Sequence, residues 1–183
     1  MVILFLSPGF SQSDQAHAKS PEGQAYYKQS RSGVCDLPSS EEHAGFSTWA
    51  AGIVRQFGVE YEEVRSKIAF LNIGAYKSKS FNDWPRLIAL PSCRMAVSWA
   101  QSSLFPEAEN NKRIAICLRS ARHWGLEPGK TYKGSLYAPV HGRGGIMNHG
   151  HQREEISKLV RAAVASQVQP EAKPELAFPR RGS

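Results

Sequence analysis

The sequence predicts an α/β fold built on a central, mostly parallel sheet, and three observations carry that prediction. Short apolar runs of strand length alternate along the chain with helical stretches. The polar and glycine-containing segments fall directly after the apolar runs, where ligands of such sheets bind. The chain has 183 residues, 41% hydrophobic and 21% charged, which suits one domain with a sizeable core.

Residues 2–6 read as a buried strand. The run lacks a basic leader and is too short for a signal-peptide core. Residues 7–40 are polar and rich in Ser and Gly, and read as a long active-site loop with a short helix. Residues 46–57 have helical periodicity through Phe46, Trp49, Ala50, Ile53, Val54 and Phe57. Residues 68–71 form a short buried strand ending at Asn72. Ser92, after Pro91, reads as the N-cap of a helix reaching Leu104. Residues 113–118 make a third strand with Ile114, Ile116 and Leu118 alternating. Residues 135–140 make a fourth, leading into glycine-rich 141–145, and residues 154–165 are an amphipathic closing helix. The expected domain spans 1–166, and 167–183, rich in Pro, Glu, Lys and Arg, are an expected disordered tail. Trp49, Trp99 and Trp124 are assigned to packing.

Cys35, Cys93 and Cys117 form no CxxC pair and no cluster with His at metal-ligand spacing. They read as reduced, partly buried thiols of a cytoplasmic protein. No stretch is long enough to cross a bilayer. Formal net charge is +7. Residues 111–161 hold ten Lys/Arg against three acids, so the remainder balances; 64–100 is also basic, with six Lys/Arg against Asp83. A concentrated positive field suits a polyanion, nucleic acid being the usual one, although a solvated basic face with no partner explains charge alone equally well.

Three post-strand segments carry the chemistry. In Leu6-Ser7-Pro8-Gly9 a tight turn brings backbone N–H groups near a ligand, and Asp14 beyond it is able to orient or deprotonate a water. Asn72 ends a hydrophobic strand with an acceptor and donors for a base edge, and Lys77 and Lys79 follow as phosphate ligands. In the third segment His141 is placed to hydrogen-bond a developing oxyanion. Ile146 and Met147 are apolar on a polar loop, where a wedge into a base stack would sit. His141, His149 and His151 invite a metal, but no carboxylate or Cys at ligand spacing completes a set, so none is expected. Taken singly, each segment also reads as an ordinary turn.

Together Leu6-Ser7-Pro8-Gly9, Phe70-Leu71-Asn72 and His141-Gly142-Arg143 resemble the motifs of the uracil-DNA glycosylase superfamily, in order and spacing, over roughly residues 2–165. The resemblance implies a three-layer α/β/α sandwich and a monofunctional glycosylase without cofactor. Such an enzyme flips a base into a pocket and releases it as an anion while water attacks the sugar carbon. It implies that Asn72 and Gly9 line the base site and that Tyr26 or Tyr27 stacks on the base. By the same resemblance His141 serves the leaving base or a phosphate; from their own positions, Arg119 after the third strand and Arg143, with the loop amides, in place of the usual Pro-Ser are the expected DNA contacts. Three cysteines exclude the four-cysteine iron–sulfur subclass.

The chain departs from the pattern twice. Ser7 stands where an acid or amide handles the water, which makes Asp14 the substitute, and Gly142-Arg143 follows the His where Pro-Ser is usual. Gly9 stands where uracil-specific members place a Tyr against C5 of the base. The expected substrate is therefore a modified pyrimidine, such as hydroxymethylated or glucosylated cytosine in phage DNA, and the expected setting antiviral defence. The alternatives are uracil excision in base excision repair, a non-catalytic nucleic-acid-binding protein on the same fold, and a hydrolase of free nucleotides or glycosides. The expected partner is DNA, with no membrane, and the expected state a monomer.

Overall fold

Val2, Ile3, Leu4 and Phe5 are all buried, and this run forms β1 (Val2–Phe5), a strand covered on both faces. In a computed structural model, which describes residues 1–9, 12–32, 36–74 and 83–166 without the side chains of Ser13 and Arg143, β1 is flanked by β2 (Ala69–Asn72) and β3 (Ala115–Cys117). β4 (Leu136–Tyr137) adds to β3. All three pairings are parallel and the strand order is β2-β1-β3-β4. The expected mostly parallel sheet is thus, among the described residues, parallel throughout.

Side chains alternate across the sheet and divide the core in two. Val2, Leu4, Ala115, Cys117 and Leu136 face one side, where they meet α5 (Trp84–Ala89), α6 (Pro91–Trp99) and α7 (Phe105–Glu109). Ile3, Phe5, Ile116 and Tyr137 face the other, where they meet α3 (Ala44–Arg55), α4 (Tyr61–Val64) and α8 (His151–Ser166). Helices therefore cover both faces of the sheet.

Several elements differ from the sequence reading. The stretch expected as a loop holds two helices, α1 (Gln12–Lys19) and α2 (Pro21–Arg31). Ser20 Oγ accepts the Gly23 N–H at 3.0 Å and Pro21 opens α2, a start signal that the polar composition masks. The helix expected from Ser92 instead takes Leu90 as its N-cap residue and Pro91 as its first helical residue. It runs on through a π-helical segment, Ala100–Leu104, into α7. Pro106 explains the widening: it lacks an N–H, and its ring crowds the carbonyl four residues back, inside that segment. Trp124 is fully buried, as assigned, but Trp49 and Trp99 are 41% and 43% exposed. β1, β3 and β4 are also shorter than the apolar runs that announce them, while β2 is shifted by one residue and is partly exposed where the sequence predicts a buried strand.

Residues 167–183 and Cys35 lie outside the described residues; Cys93 and Cys117 are buried free thiols. Among the described residues no helix is long and apolar enough to cross a membrane.

Candidate functional site

Parallel strands put every carboxyl end on one edge, and chain order reverses direction across β1, with β2 on one side and β3 on the other. Such a switch point opens a crevice beyond the strand ends. The segments after β1, β2 and β4 converge there. Phe5 is in register with Asn72. Ile73 N–H donates to the Phe5 carbonyl at 3.3 Å and Gly74 N–H to the Leu6 carbonyl at 2.7 Å. A Cβ added at Gly74 would stand 3.4 Å from Ser7 Cβ, so the first two motifs lie side by side.

The His141 segment closes on itself. His141 bridges Met147 in antiparallel fashion, Asn148 N–H donates to the Val140 carbonyl at 2.9 Å, and Gly142 N–H to the Ile146 carbonyl at 2.8 Å. Gly144 and Gly145 take φ of +81° and +82°, which side chains other than glycine's tolerate poorly. At Gly145 space matters as well: an added Cβ would lie 3.0 Å from Phe5 Cε1, 3.4 Å from Leu118 Cβ and 3.6 Å from Arg119 Cγ. The foot of the loop thus rests on the ends of β1 and β3. After β3, Arg119 is exposed and Ser120 is left-handed at φ 59°, a conformation costing a non-glycine residue ~1–2 kcal/mol.

Gln56, which the sequence reading passed over, anchors this loop. Its side chain is buried; Nε2 donates to the carbonyls of Ile53 (2.9 Å) and Gly145 (3.2 Å), and Oε1 accepts the Met147 N–H at 2.8 Å. Arg153 Nη1 donates to the Met147 carbonyl at 3.3 Å. The only trace in the sequence is a polar residue continuing an apolar helical stripe, which is a weak signal.

Met147 is corrected by its burial. It is 2% exposed and packs in the core with Ile156 and Val160, so it pins the loop and is not a wedge. Ile146 keeps the exposed position at 41%, joined by Val140 at 50%. His141 is half-buried, with Nδ1 3.2 Å from the Gly142 carbonyl. When Nδ1 donates that bond, Nε2 is a donor only in the protonated ring.

Asp14 sits on α1, and the structure puts His43 beside it, Nε2 to Oδ1 3.9 Å. Tyr26 and Tyr27 pack on His17, with ring centroids 6.4 and 6.2 Å away, and join that cluster. Two aromatic rings touch Phe5 at the end of β1, Trp49 and, at 6.0 Å, Phe70; Trp49 is the more exposed. It lies 5.4 Å from Phe5, 4.9 Å from Phe70 and 5.7 Å from Phe46, so it is backed by apolar rings while partly open. Lys77 and Lys79 lie outside the described residues, as does the Arg143 side chain. Around Gly9 a Cβ would meet nothing within 4 Å.

Elsewhere a cleft of about 730 Å³ opens at the amino edge, lined by Lys67, Lys112, Arg113 and Ile114 with Leu159 and Val164 of α8. No carboxylate, His or Cys lines it. Burial pushes the Cys117 thiol up to about 12, which leaves it unreactive. Among the described residues no three His, Cys, Asp or Glu gather as a metal site. In comparisons with known proteins, no family model, curated protein or solved structure matches this chain.

Proposed function

We propose that this chain is a monofunctional DNA glycosylase that flips a pyrimidine carrying a C5 substituent out of DNA and hydrolyses its bond to the sugar. One observation carries the reading: the three motif segments, far apart in sequence, converge on the carboxyl end of β1. Ser7 meets Gly74, and Gly145 meets Phe5. The three-layer, uracil-DNA glycosylase-like fold is part of this proposal, supported by an all-parallel sheet with helices on both faces.

In the proposed reaction a water oxygen bonds to the sugar C1′ while the bond from C1′ to the base nitrogen breaks. The base leaves with the electron pair, and the water proton passes to the Asp14 carboxylate. Asn72 reads the base edge, as a residue ending β2 in register with Phe5 is able to do. His141 and loop amides answer the charge on the departing base. Trp49, backed by Phe5 and Phe70, offers a better supported stacking surface than Tyr26 or Tyr27, which pack on His17. Open space at Gly9 supports the C5 substituent. Arg119 and the exposed Ile146 suit the DNA backbone and base stack. The net charge of +7 suits the same partner.

The test incubates the protein with plain DNA, uracil-containing DNA and glucosylated phage DNA and counts abasic sites. Sites only in modified DNA support the proposal, and release of uracil alone sinks the modified-base reading. A second reading, a DNA-binding protein without catalysis, is favoured by Ser7 in place of an acid and by Asp14 facing His43. It expects salt-dependent binding to DNA and no abasic sites in any of the three.

A further inference from the structure

α1 and the start of α3 meet through a carboxylate and two imidazoles. His43 immediately precedes α3, and its Nδ1 accepts the Phe46 N–H at 3.3 Å. That nitrogen therefore presents a lone pair, and the proton of the neutral ring sits on Nε2. Nε2 faces Asp14 Oδ1 at 3.9 Å, too far for a hydrogen bond and close enough for an ion pair. Both side chains are shielded, at 10% and 17% exposure, which strengthens any charge interaction between them. The His17 ring lies 4.1 Å from the His43 ring, and its Nε2 is buried without a hydrogen-bond partner.

We propose that His43 is an acid-operated latch between α1 and α3, exchanging the cap of α3 for an ion pair with Asp14. On acidification a proton from solvent adds to Nδ1. The nitrogen changes from acceptor to donor, so the Phe46 N–H loses its partner. The imidazolium and the Asp14 carboxylate then form a pair of opposite charge. The neighbouring groups set the balance. From α1, the His17 ring lies 4.1 Å from that of His43. From α2, the exposed Glu22 carboxylate is held below its ordinary range by backbone and Ser20 hydrogen bonds and, least, by His17, while Tyr26 and Tyr27 pack against the His17 ring. Before α3, the Glu42 carboxylate is held by the Ser39 N–H at 2.7 Å. Tyr61 of α4 interacts with Tyr26 and Glu42, and burial holds its phenol well above the ordinary range, so it stays neutral. Within α3, Phe46 is the ring nearest His43. Only the consequence for activity rests on the proposed function: if Asp14 takes the proton of the attacking water, the acid-formed pair withdraws it.

The test is amide hydrogen exchange followed by NMR on the full chain from pH 8 to pH 5, corrected for intrinsic rates. Protection of the Phe46 amide is expected to fall roughly fivefold on acidification, the effect of losing an ordinary cap, while Val54 in mid-core holds steady. His43→Asn caps without titrating and is expected to abolish the response. Asp14→Asn removes the counter-charge and is expected to move the response at least half a pH unit towards acid. Flat Phe46 protection in the unaltered protein, or a full response in His43→Asn, overturns the latch. If Phe46 responds but no DNA yields abasic sites, the latch stands and the glycosylase reading falls; base release with flat Phe46 sinks the latch alone.

Discussion

Replacing Gln56 with Met is expected to undock the glycine-rich loop while sparing the core. The two side chains have similar length and volume, so the change removes polar partners and leaves packing nearly intact. Three hydrogen bonds go: two donated by Nε2 and one accepted by Oε1. The Ile53 carbonyl lies at the end of α3, where the following turn can relax to replace its partner. The Gly145 carbonyl and the Met147 N–H are left without their side-chain partner in a buried setting, because residues 145 and 147 are themselves buried. A buried group deprived of its partner costs ~1–3 kcal/mol, so two cost ~2–4 kcal/mol after partial relaxation. At ~1.4 kcal/mol per decade, the Met147 amide should lose ~30-fold to ~1000-fold of its exchange protection. Ile3 and Leu4 amides in β1 should change less, because the sheet does not use Gln56. Urea unfolding should show a lower midpoint with an unchanged slope. Met147 protection within threefold of the unaltered protein, with the midpoint unmoved, would refute the idea that Gln56 anchors the loop.

Gly52→Ala in α3 should stabilise the protein by ~0.5–1 kcal/mol, since a Cβ there meets nothing within 4 Å; a lower urea midpoint would contradict this. Asn72→Ala should lose ~1–3 kcal/mol of discrimination between bases, and His141→Ala should raise the barrier ~2.7–4 kcal/mol, measured as rates of base release from DNA. Unchanged rates in folded variants would remove those roles. Gly9→Tyr should fill the open space beside the base and reject modified pyrimidine while sparing uracil, and continued release of the modified base would show that Gly9 does not face C5. On the alkaline side, Cys117 and Tyr137 are both pushed up to about 12, by burial first and, at Tyr137, also by its hydrogen bond to Glu155. Their native pKa values are raised, so the stability they carry is complete below the unfolded pKa values of 9 and 10 and is lost as pH climbs to about 12. The urea midpoint should therefore fall from pH 9 upward, and less steeply in Cys117→Ala.

Legibility along the chain follows locality. Val2, Ile3, Leu4 and Phe5 announce β1 because a strand buried on both faces needs little beyond a run of apolar residues. The α3 stripe was equally plain, since Ala50, Ile53 and Val54 recur at the helical period and are buried. α1 and α2 are hidden because neither carries a strong apolar face; the start of α2 lies in the cap Ser20-Pro21, a two-residue signal inside a polar stretch. The π segment before α7 depends on a proline acting backwards along a helix, which a forward scan for caps does not register.

At the candidate site the same division holds. The chain itself determines which residues follow the strands: Ser7, Asn72, Arg119 and His141 stand beyond apolar runs, and in a parallel sheet all such residues share one edge. Strand order, and hence that β1 lies between β2 and β3, comes from the packing of helices on both faces. Tertiary contact alone decides that Met147 points inward and Ile146 outward, because one buried side chain, Gln56, holds the backbone between them. It also decides that Trp49 leans on Phe5 and that Asp14 faces His43. Those are contacts between residues dozens of positions apart. Their free energy comes from burial and from satisfying polar groups that only the folded chain removes from water, so no local pattern encodes them.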